Sequence, residues 1–210
     1  MSVGRHLGRF IEPRGWLNHP FFYRTFRRAV SRKRTRYVLV RENIRPHPGD
    51  RVLDIGCGPG VLLCDLPDAD YTGIDLNERY IAEARRRFGG RGSFIRGTAS
   101  PQTLNEPGAF DVALAIGVLH HLDDPEAQAL LLLAKKALRP GGRFVVLDCC
   151  YTERQSRAAR FIIGLDRGRH VRTPGQLDRL IGETFPAMTS TVRTDLLRIP
   201  YTHYLGLATA

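Results

Sequence analysis

Ten residues, Arg51-Val52-Leu53-Asp54-Ile55-Gly56-Cys57-Gly58-Pro59-Gly60, restrict the folds open to this chain more than any other stretch. Val52, Leu53 and Ile55 form a short apolar run, as in a strand covered on both faces. Glycines then fall at every second position, at 56, 58 and 60, and Val61-Leu62-Leu63 resumes as a helix. A strand, a glycine-rich turn and a helix build a ligand seat at the carboxyl end of a parallel sheet. Glycine lets the backbone approach the ligand and take positive φ.

Spacing narrows the ligand. A dinucleotide turn, G-x-G-x-x-G, would place its third glycine at position 61, which is Val; here it comes one residue early, at Gly60. The strand also carries an acid, Asp54, giving D-x-G-x-G-x-G. A carboxylate there would repel a pyrophosphate but suits a ligand end bearing an ammonium. Some twenty residues on, Tyr71-Thr72-Gly73-Ile74-Asp75-Leu76 predicts a second strand ending in an acid. The Asp75 carboxylate can accept hydrogen bonds from both hydroxyls of a ribose, each worth roughly 1.5–3 kcal/mol.

These residues resemble the class I S-adenosylmethionine-dependent methyltransferases. VLDIGCGPG is similar to the family's first motif and YTGIDL to its second. Leu119-His120-His121-Leu122 resembles the LHHL that follows the fourth strand in many small-molecule members. Leu138-Arg139-Pro140-Gly141-Gly142 resembles the L-x-P-G-G turn before the fifth. The likeness spans about residues 45–150. It implies S-adenosylmethionine as cofactor. Asp54, Gly56, Cys57, Gly58 and Gly60 would hold its methionine end. Asp75 would take the ribose with Leu76 against the adenine, Thr98 and Ala99 would border the adenine, and Ile116 and Gly117 would form the floor. Thr98 departs from the Asp that many members place beside the adenine amino group.

The remaining pattern predicts an α/β fold: a doubly wound seven-stranded sheet, mostly parallel with an antiparallel C-terminal strand, preceded by an N-terminal lid helix. Residues 1–45 form the arm and lid, and 46–210 the cofactor-binding domain. After the first strand (51–55) and a short helix (60–66) come strand 71–76 and helix 77–89. The helix has Asn77 as N-cap, Gly89-Gly90 as its end, and Tyr80, Ile81, Ala84 and Phe88 facing inward. Strands at 93–97 and 110–116 follow, then a helix 125–138 with Ala129 to Leu133 buried, and a strand 142–149. A helix within 153–165 should bury Ala158, Phe161, Ile162 and Leu165. Thr173 caps a helix opened by Pro174 and running to about Phe185. Residues 190–199 and 203–208 alternate like a closing antiparallel pair.

Charge is uneven. The formal net charge is +11, of which residues 1–50 carry +9 and residues 51–210 only +2. Residues 20–44 read as one helix, with Phe22, Phe26, Val30, Tyr37, Val40 and Ile44 on a stripe and arginines around it. Two readings stand side by side: a lid packed on the core, and a basic amphipathic surface that meets an anionic membrane. No apolar run nears the ~20 residues of a membrane span, and no apolar stretch of signal-peptide kind follows the start. The expected place is the cytoplasm, with peripheral membrane contact open through 20–44. Oligomeric state is not legible. Cys57, Cys64, Cys149 and Cys150 form no C-x-x-C pair and no metal site is expected; buried thiols in a reducing compartment fit them.

Methyl transfer from a sulfonium needs orientation above all, and a base only when the acceptor must lose a proton. His121, Asp148 and His170 are the candidate catalytic groups. Tyr204 is a pocket-lining candidate, and Arg167, Arg169 and Arg172 could clamp an acidic acceptor. The function expected is methyl transfer to an oxygen, nitrogen or carbon of a small-molecule or lipid-like acceptor. Two alternatives remain. One is an RNA or other nucleic-acid methyltransferase, suggested by the basic arm; the fourth strand's Ile116-Gly117-Val118-Leu119 lacks the N/D-P-P-Y/F grip on a flipped base. The other is a cofactor-binding protein with a non-methylating activity such as cyclisation.

Overall fold

The structure, a computed structural model, describes residues 35, 37–100, 108–165 and 168–210. The expectations for residues 1–34, including most of the lid helix, lie outside the described residues, as does Arg167. The strands are β1 (Arg51–Ile55), β2 (Asp70–Asp75), β3 (Gly92–Arg96), β4 (Phe110–Ile116), β5 (Leu138–Cys149), β6 (Met188–Arg193) and β7 (His203–Thr209). They form one sheet in the order β3-β2-β1-β4-β5-β7-β6. β1 to β5 pair in parallel, and β7 runs antiparallel to both β5 and β6. The expected seven-stranded architecture is what the chain adopts. The order reverses between β1 and β4, so a crevice opens at the carboxyl ends of those two strands.

Both sheet faces are covered. One carries Leu53, Ile55, Ala113, Ala115, Phe144, Val146 and Tyr204 against helices α2 (Asp124–Ala137) and α4 (Pro174–Gly182). The other carries Val52, Leu114, Val145, Leu147 and Leu205 against Leu62 and Leu63, against α1 (Glu78–Phe88) and against residues 38–44. Continuous apolar strands follow from cover on both sides. Local chemistry sets the helix starts. Asn77 accepts from the Arg79 and Tyr80 N–H groups at the head of α1. Asp123 with Glu126, and Thr173 with Gln176, close capping boxes at α2 and α4.

Several boundaries differ from the sequence pattern. Residues 61–64 form a single tight 3₁₀ turn, not a helix to 66. Leu138 to Gly142 is already part of β5: the register with β4 jumps from Phe110↔Leu138 to Val112↔Arg143, and a bulge absorbs the extra residues. α4 stops at Gly182. β6 ends at Arg193, well before Ile199. There Arg193 grips Asp195 through Nε and Nη2 at 2.8 and 2.9 Å. The turn this makes sends Leu196 into the core, 1% exposed.

Residues 37–44 are π-helical, with Arg45 N–H donating to the Val40 carbonyl five residues back. The wider turn rotates the expected stripe. Val38, Leu39, Val40 and Ile44 are buried, while Tyr37 is 59% exposed. In α2 only Leu131 and Leu133 of the run 129–133 are buried, and Leu132 is turned out. The helix expected within 153–165 is α3 (Arg157–Leu165), and its buried residues are Ala159 and Ile163, not the Ala158/Phe161/Leu165 face. Cys64 is exposed, unlike the other three thiols.

Candidate active site

The glycine turn is built as its spacing requires. Gly56, Gly58 and Gly60 all take positive φ, at 77, 55 and 69°. A Cβ on Gly56 would lie 2.4 Å from Val118 Cγ2, and one on Gly60 would lie 2.9 Å from the Phe94 ring. Gly73 on β2 is needed for a different reason: a Cβ there would meet Cys57 Sγ at 2.8 Å. Cys57 is thus the buried underside of the loop. Burial, then the Asp54 and Asp75 carboxylates, push its thiol well up, so it stays protonated.

Asp75 ties the loop to α1. Its Oδ2 accepts from the Gly58 N–H at 2.9 Å and its Oδ1 from the Asn77 N–H at 2.7 Å. Burial raises its pKa, and those two N–H groups oppose the rise. Each oxygen retains a lone pair for a further donor. Next to it Leu76 is 53% exposed, an apolar side chain standing open at the end of β2. Thr98 is exposed and Ala99 half-buried in the segment after β3. Half-buried Ile116 ends β4, and Gly117 turns away at φ 69° with its N–H on the Leu147 carbonyl.

Asp54 sits lower than its ligand-facing expectation requires. It is 3% exposed, and its Oδ2 accepts the Tyr71 hydroxyl at 2.6 Å. Burial and Asp54 together hold that phenol far above its usual pKa. Asp54 is therefore a carboxylate beneath the loop, contributing negative field and a fixed floor.

Across the crevice, Asp148 and His120 form a buried dyad. His120 Nδ1 lies 2.5 Å from Asp148 Oδ1. The Leu119 and His120 N–H groups bond Asp148 Oδ2, and the Cys149 N–H bonds Oδ1. Burial alone would raise the Asp148 pKa, but the His120 imidazole and the backbone donors outweigh it and hold the carboxyl below its ordinary range. This corrects the assignment of Asp148 as a base: it is 2% exposed and its oxygens are taken. An ionised carboxylate only accepts, so His120 Nδ1 carries the proton and Nε2 is the basic atom of the neutral ring. His120, passed over in the sequence in favour of His121, is the imidazole with a carboxylate behind it. The signal was Asp148 near the end of β5, the strand paired with β4, which leads into the LHHL turn. His121 is half-buried and lies against His120, the rings tilted by 42° with centroids 4.0 Å apart.

The segment 168–172 closes over this dyad. A Cβ on Gly168 would collide with His120 Cδ2 at 2.1 Å, and the His170 N–H donates to the His120 carbonyl. The His170 side chain is exposed, so what the structure brings to the dyad is its backbone. Arg172 is no acceptor clamp either. It is 7% exposed and donates to the Leu119, Leu122 and His170 carbonyls and to Asp124. Tyr204 is fully buried, its hydroxyl donating to Asp178 Oδ1 at 2.8 Å. A cavity of about 470 Å³ between Glu42, Arg143, Met188 and Thr209 lies at the amino ends of the strands, away from all of this chemistry. His120, Asp148 and Cys149 also present three potential ligand atoms within 4.8 Å. The carboxylate's engagement with four N–H groups leaves the dyad better suited to holding a proton than an ion.

A family profile described as "Methyltransferase domain" matches residues 52–142, the stretch from the glycine loop through the bulged start of β5. Over that stretch the chain is similar to the S-adenosylmethionine-dependent methyltransferases. An Aliivibrio fischeri ubiquinone biosynthesis O-methyltransferase is 31% identical over 118 residues, covering 54% of this chain and 49% of that protein. The O-methyltransferase cnsE of Penicillium expansum is 35% identical over 128 residues, 57% of this chain and 45% of its own. The chain spans at most about half the length of these curated relatives. Among solved structures, an S-adenosylmethionine-dependent methyltransferase from Methanosarcina mazei superposes with a TM-score of 0.63 at 19% identity, over 78% of this chain and 93% of that one. A geranyl diphosphate methyltransferase superposes at 0.64 with 15% identity, over 84% and 76%. Both establish the shared fold. The residues present fit S-adenosylmethionine, the cofactor that the similarity points to: a turn open only to glycine, a ribose-type carboxylate and an open leucine beside it. No helix among the described residues is long and apolar enough to cross a membrane.

Proposed function

We propose that this methyltransferase moves a methyl group to an oxygen, nitrogen or carbon of a small-molecule or lipid-like acceptor, with oxygen favoured. The observation that carries the reading is the glycine loop, positive in φ at all three glycines and tied through Gly58 to Asp75. The O-methyltransferase names of the relatives favour oxygen.

When bound, the cofactor supplies an electrophilic methyl group for in-line displacement. The chain's own residues do the rest. Asp75 and Leu76 fix the nucleoside end, and Gly56 to Gly60 allow the methionine end close to the backbone. Ile116 and Gly117 set the floor. An oxygen acceptor must shed its proton, and His120 Nε2 is the atom assigned to receive it. Asp148 is a positioning residue: it fixes the tautomer and stabilises the imidazolium that forms.

The test is transfer of a radiolabelled methyl group to a panel of phenols, amines and prenyl lipids, by wild type and by His120→Asn. Transfer to a phenol or lipid hydroxyl that His120→Asn lowers by about 10²-fold or more supports the reading. Tight S-adenosylhomocysteine binding with no transfer to any acceptor class would sink the methylating role and leave a cofactor-binding protein.

A further inference from the structure

Helix α3 has two faces exposed to solvent and only one buried. Ala159 and Ile163 point into the protein. At about 100° per residue, Phe161, Leu165 and Ala158 share the opposite side. Phe161 is 68% exposed and Leu165 53%. Arg157 and Arg160 flank this stripe on the helix, and Arg154 precedes it; all three are exposed. A basic edge beside an apolar stripe is the pattern of a helix lying in a lipid interface. The helix is held in place for that role. Arg160 lies over the Tyr151 ring at 4.9 Å, and the Tyr151 N–H donates to the Arg172 carbonyl. Arg172 in turn holds the turn that carries His120.

We propose that α3 docks this protein on an anionic phospholipid surface, with Phe161 and Leu165 entering the interface and Arg154, Arg157 and Arg160 meeting headgroup phosphates. Charge decides the occupant. Residues 1–34 are also rich in apolar side chains, but they hold nine Arg or Lys against one acid. A basic arm is repelled by a basic helix edge, and a second copy of the same edge is repelled equally. An anionic bilayer attracts both, and two weak membrane signals together give stable binding where one does not. Because α3 follows the carboxyl end of β5, docking brings the crevice end of the sheet toward the lipid. The proposal concerns binding alone and holds whether or not the chain methylates the acceptor classes above.

The experiment is sedimentation of the full chain with phosphatidylcholine vesicles, with and without phosphatidylglycerol, at two salt concentrations. Wild type should bind only the anionic vesicles, and less at high salt. The exposed double substitution Phe161→Ser/Leu165→Ser should lower partitioning by roughly tenfold or more. Arg154→Glu/Arg157→Glu should lower it comparably and weaken the salt dependence. All variants should melt with wild type, since the side chains are solvated. The proposal is overturned if wild type stays in solution with anionic vesicles, or if both double variants bind as wild type does, which would leave the contact to residues 1–34. It is equally overturned if the substitutions abolish self-association in sedimentation equilibrium while vesicle binding is unchanged.

Discussion

Replacing Arg172 with Met should unfasten the dyad loop while keeping the buried stem. The guanidinium donates to Leu119 O at 2.8 Å, Leu122 O at 2.8 Å and His170 O at 3.2 Å, and its Nε and Nη2 reach Asp124 at 2.9 and 2.7 Å. The Asp124 side chain is 78% exposed, so that pair is screened and contributes at most ~1 kcal/mol. The two short carbonyl contacts dominate. Hydrogen bonds from a charged donor contribute about 1.5 kcal/mol or more each, so their loss costs about 3 kcal/mol. For a chain of this size that lowers the melting temperature by roughly 6–12 °C. Circular dichroism melts of Arg172→Met, Arg172→Lys and Asp124→Asn separate the contributions. Lys offers a point charge without the fork and should recover only part of the loss, while Asp124→Asn should shift the melt by about 2–4 °C or less. An Arg172→Met protein that melts within ~2 °C of wild type would refute the account, because the carbonyls would then be satisfied without the guanidinium.

Asp75→Asn should weaken S-adenosylhomocysteine binding in calorimetry by roughly 10²-fold or more, as two charge-assisted acceptor positions become neutral; binding within threefold of wild type would remove Asp75 from the ribose. Gly56→Ala should destabilise the fold by ~2 kcal/mol or more, because φ is 77° and the new methyl meets Val118. Pairing it with Val118→Ala in a double-mutant cycle should recover the clash portion and leave the backbone portion, and simple additivity would count against the contact. His203 is 8% exposed with Nδ1 unpartnered, and burial lowers its pKa to about 4 against the pull of Asp148 and Asp195. The unfolded chain therefore holds the extra proton between about pH 4 and 6.5. Stability should fall by about 3 kcal/mol as pH drops through that window, and His203→Phe should flatten this limb of a urea-unfolding pH series.

The parts of this protein that could be read from the sequence are those whose causes are local. The loop from Asp54 to Gly60 declares itself because only glycine takes three positive φ angles in five residues. Asn77, Asp123 and Thr173 cap their helices through bonds that reach three residues or fewer. The same holds for Leu76, left open at the strand end next to Asp75. Where the sequence pattern misled, the deciding partner lies far along the chain. Asp148 looks like a lone acid at a strand end until Leu119 and His120, 29 and 28 residues earlier, fill its lone pairs. Arg172 looks like a surface cation until carbonyls some fifty residues away surround it.

The same asymmetry separates cofactor from acceptor. The cofactor half of the crevice is one strand-turn-strand unit, so its chemistry can be recognised from a short window. The residues proposed to face the acceptor come from the LHHL turn, the end of β5 and the 168–172 segment, which lie well apart in sequence. α3 also departs from its sequence pattern. Its periodicity offers an apolar stripe at 158, 161 and 165, and periodicity alone assigns that stripe to the core. The core instead took Ala159 and Ile163, and in that rotation Arg160 lies over the Tyr151 ring. The stripe left outside, bordered by arginines, is the one proposed above to meet an anionic lipid surface.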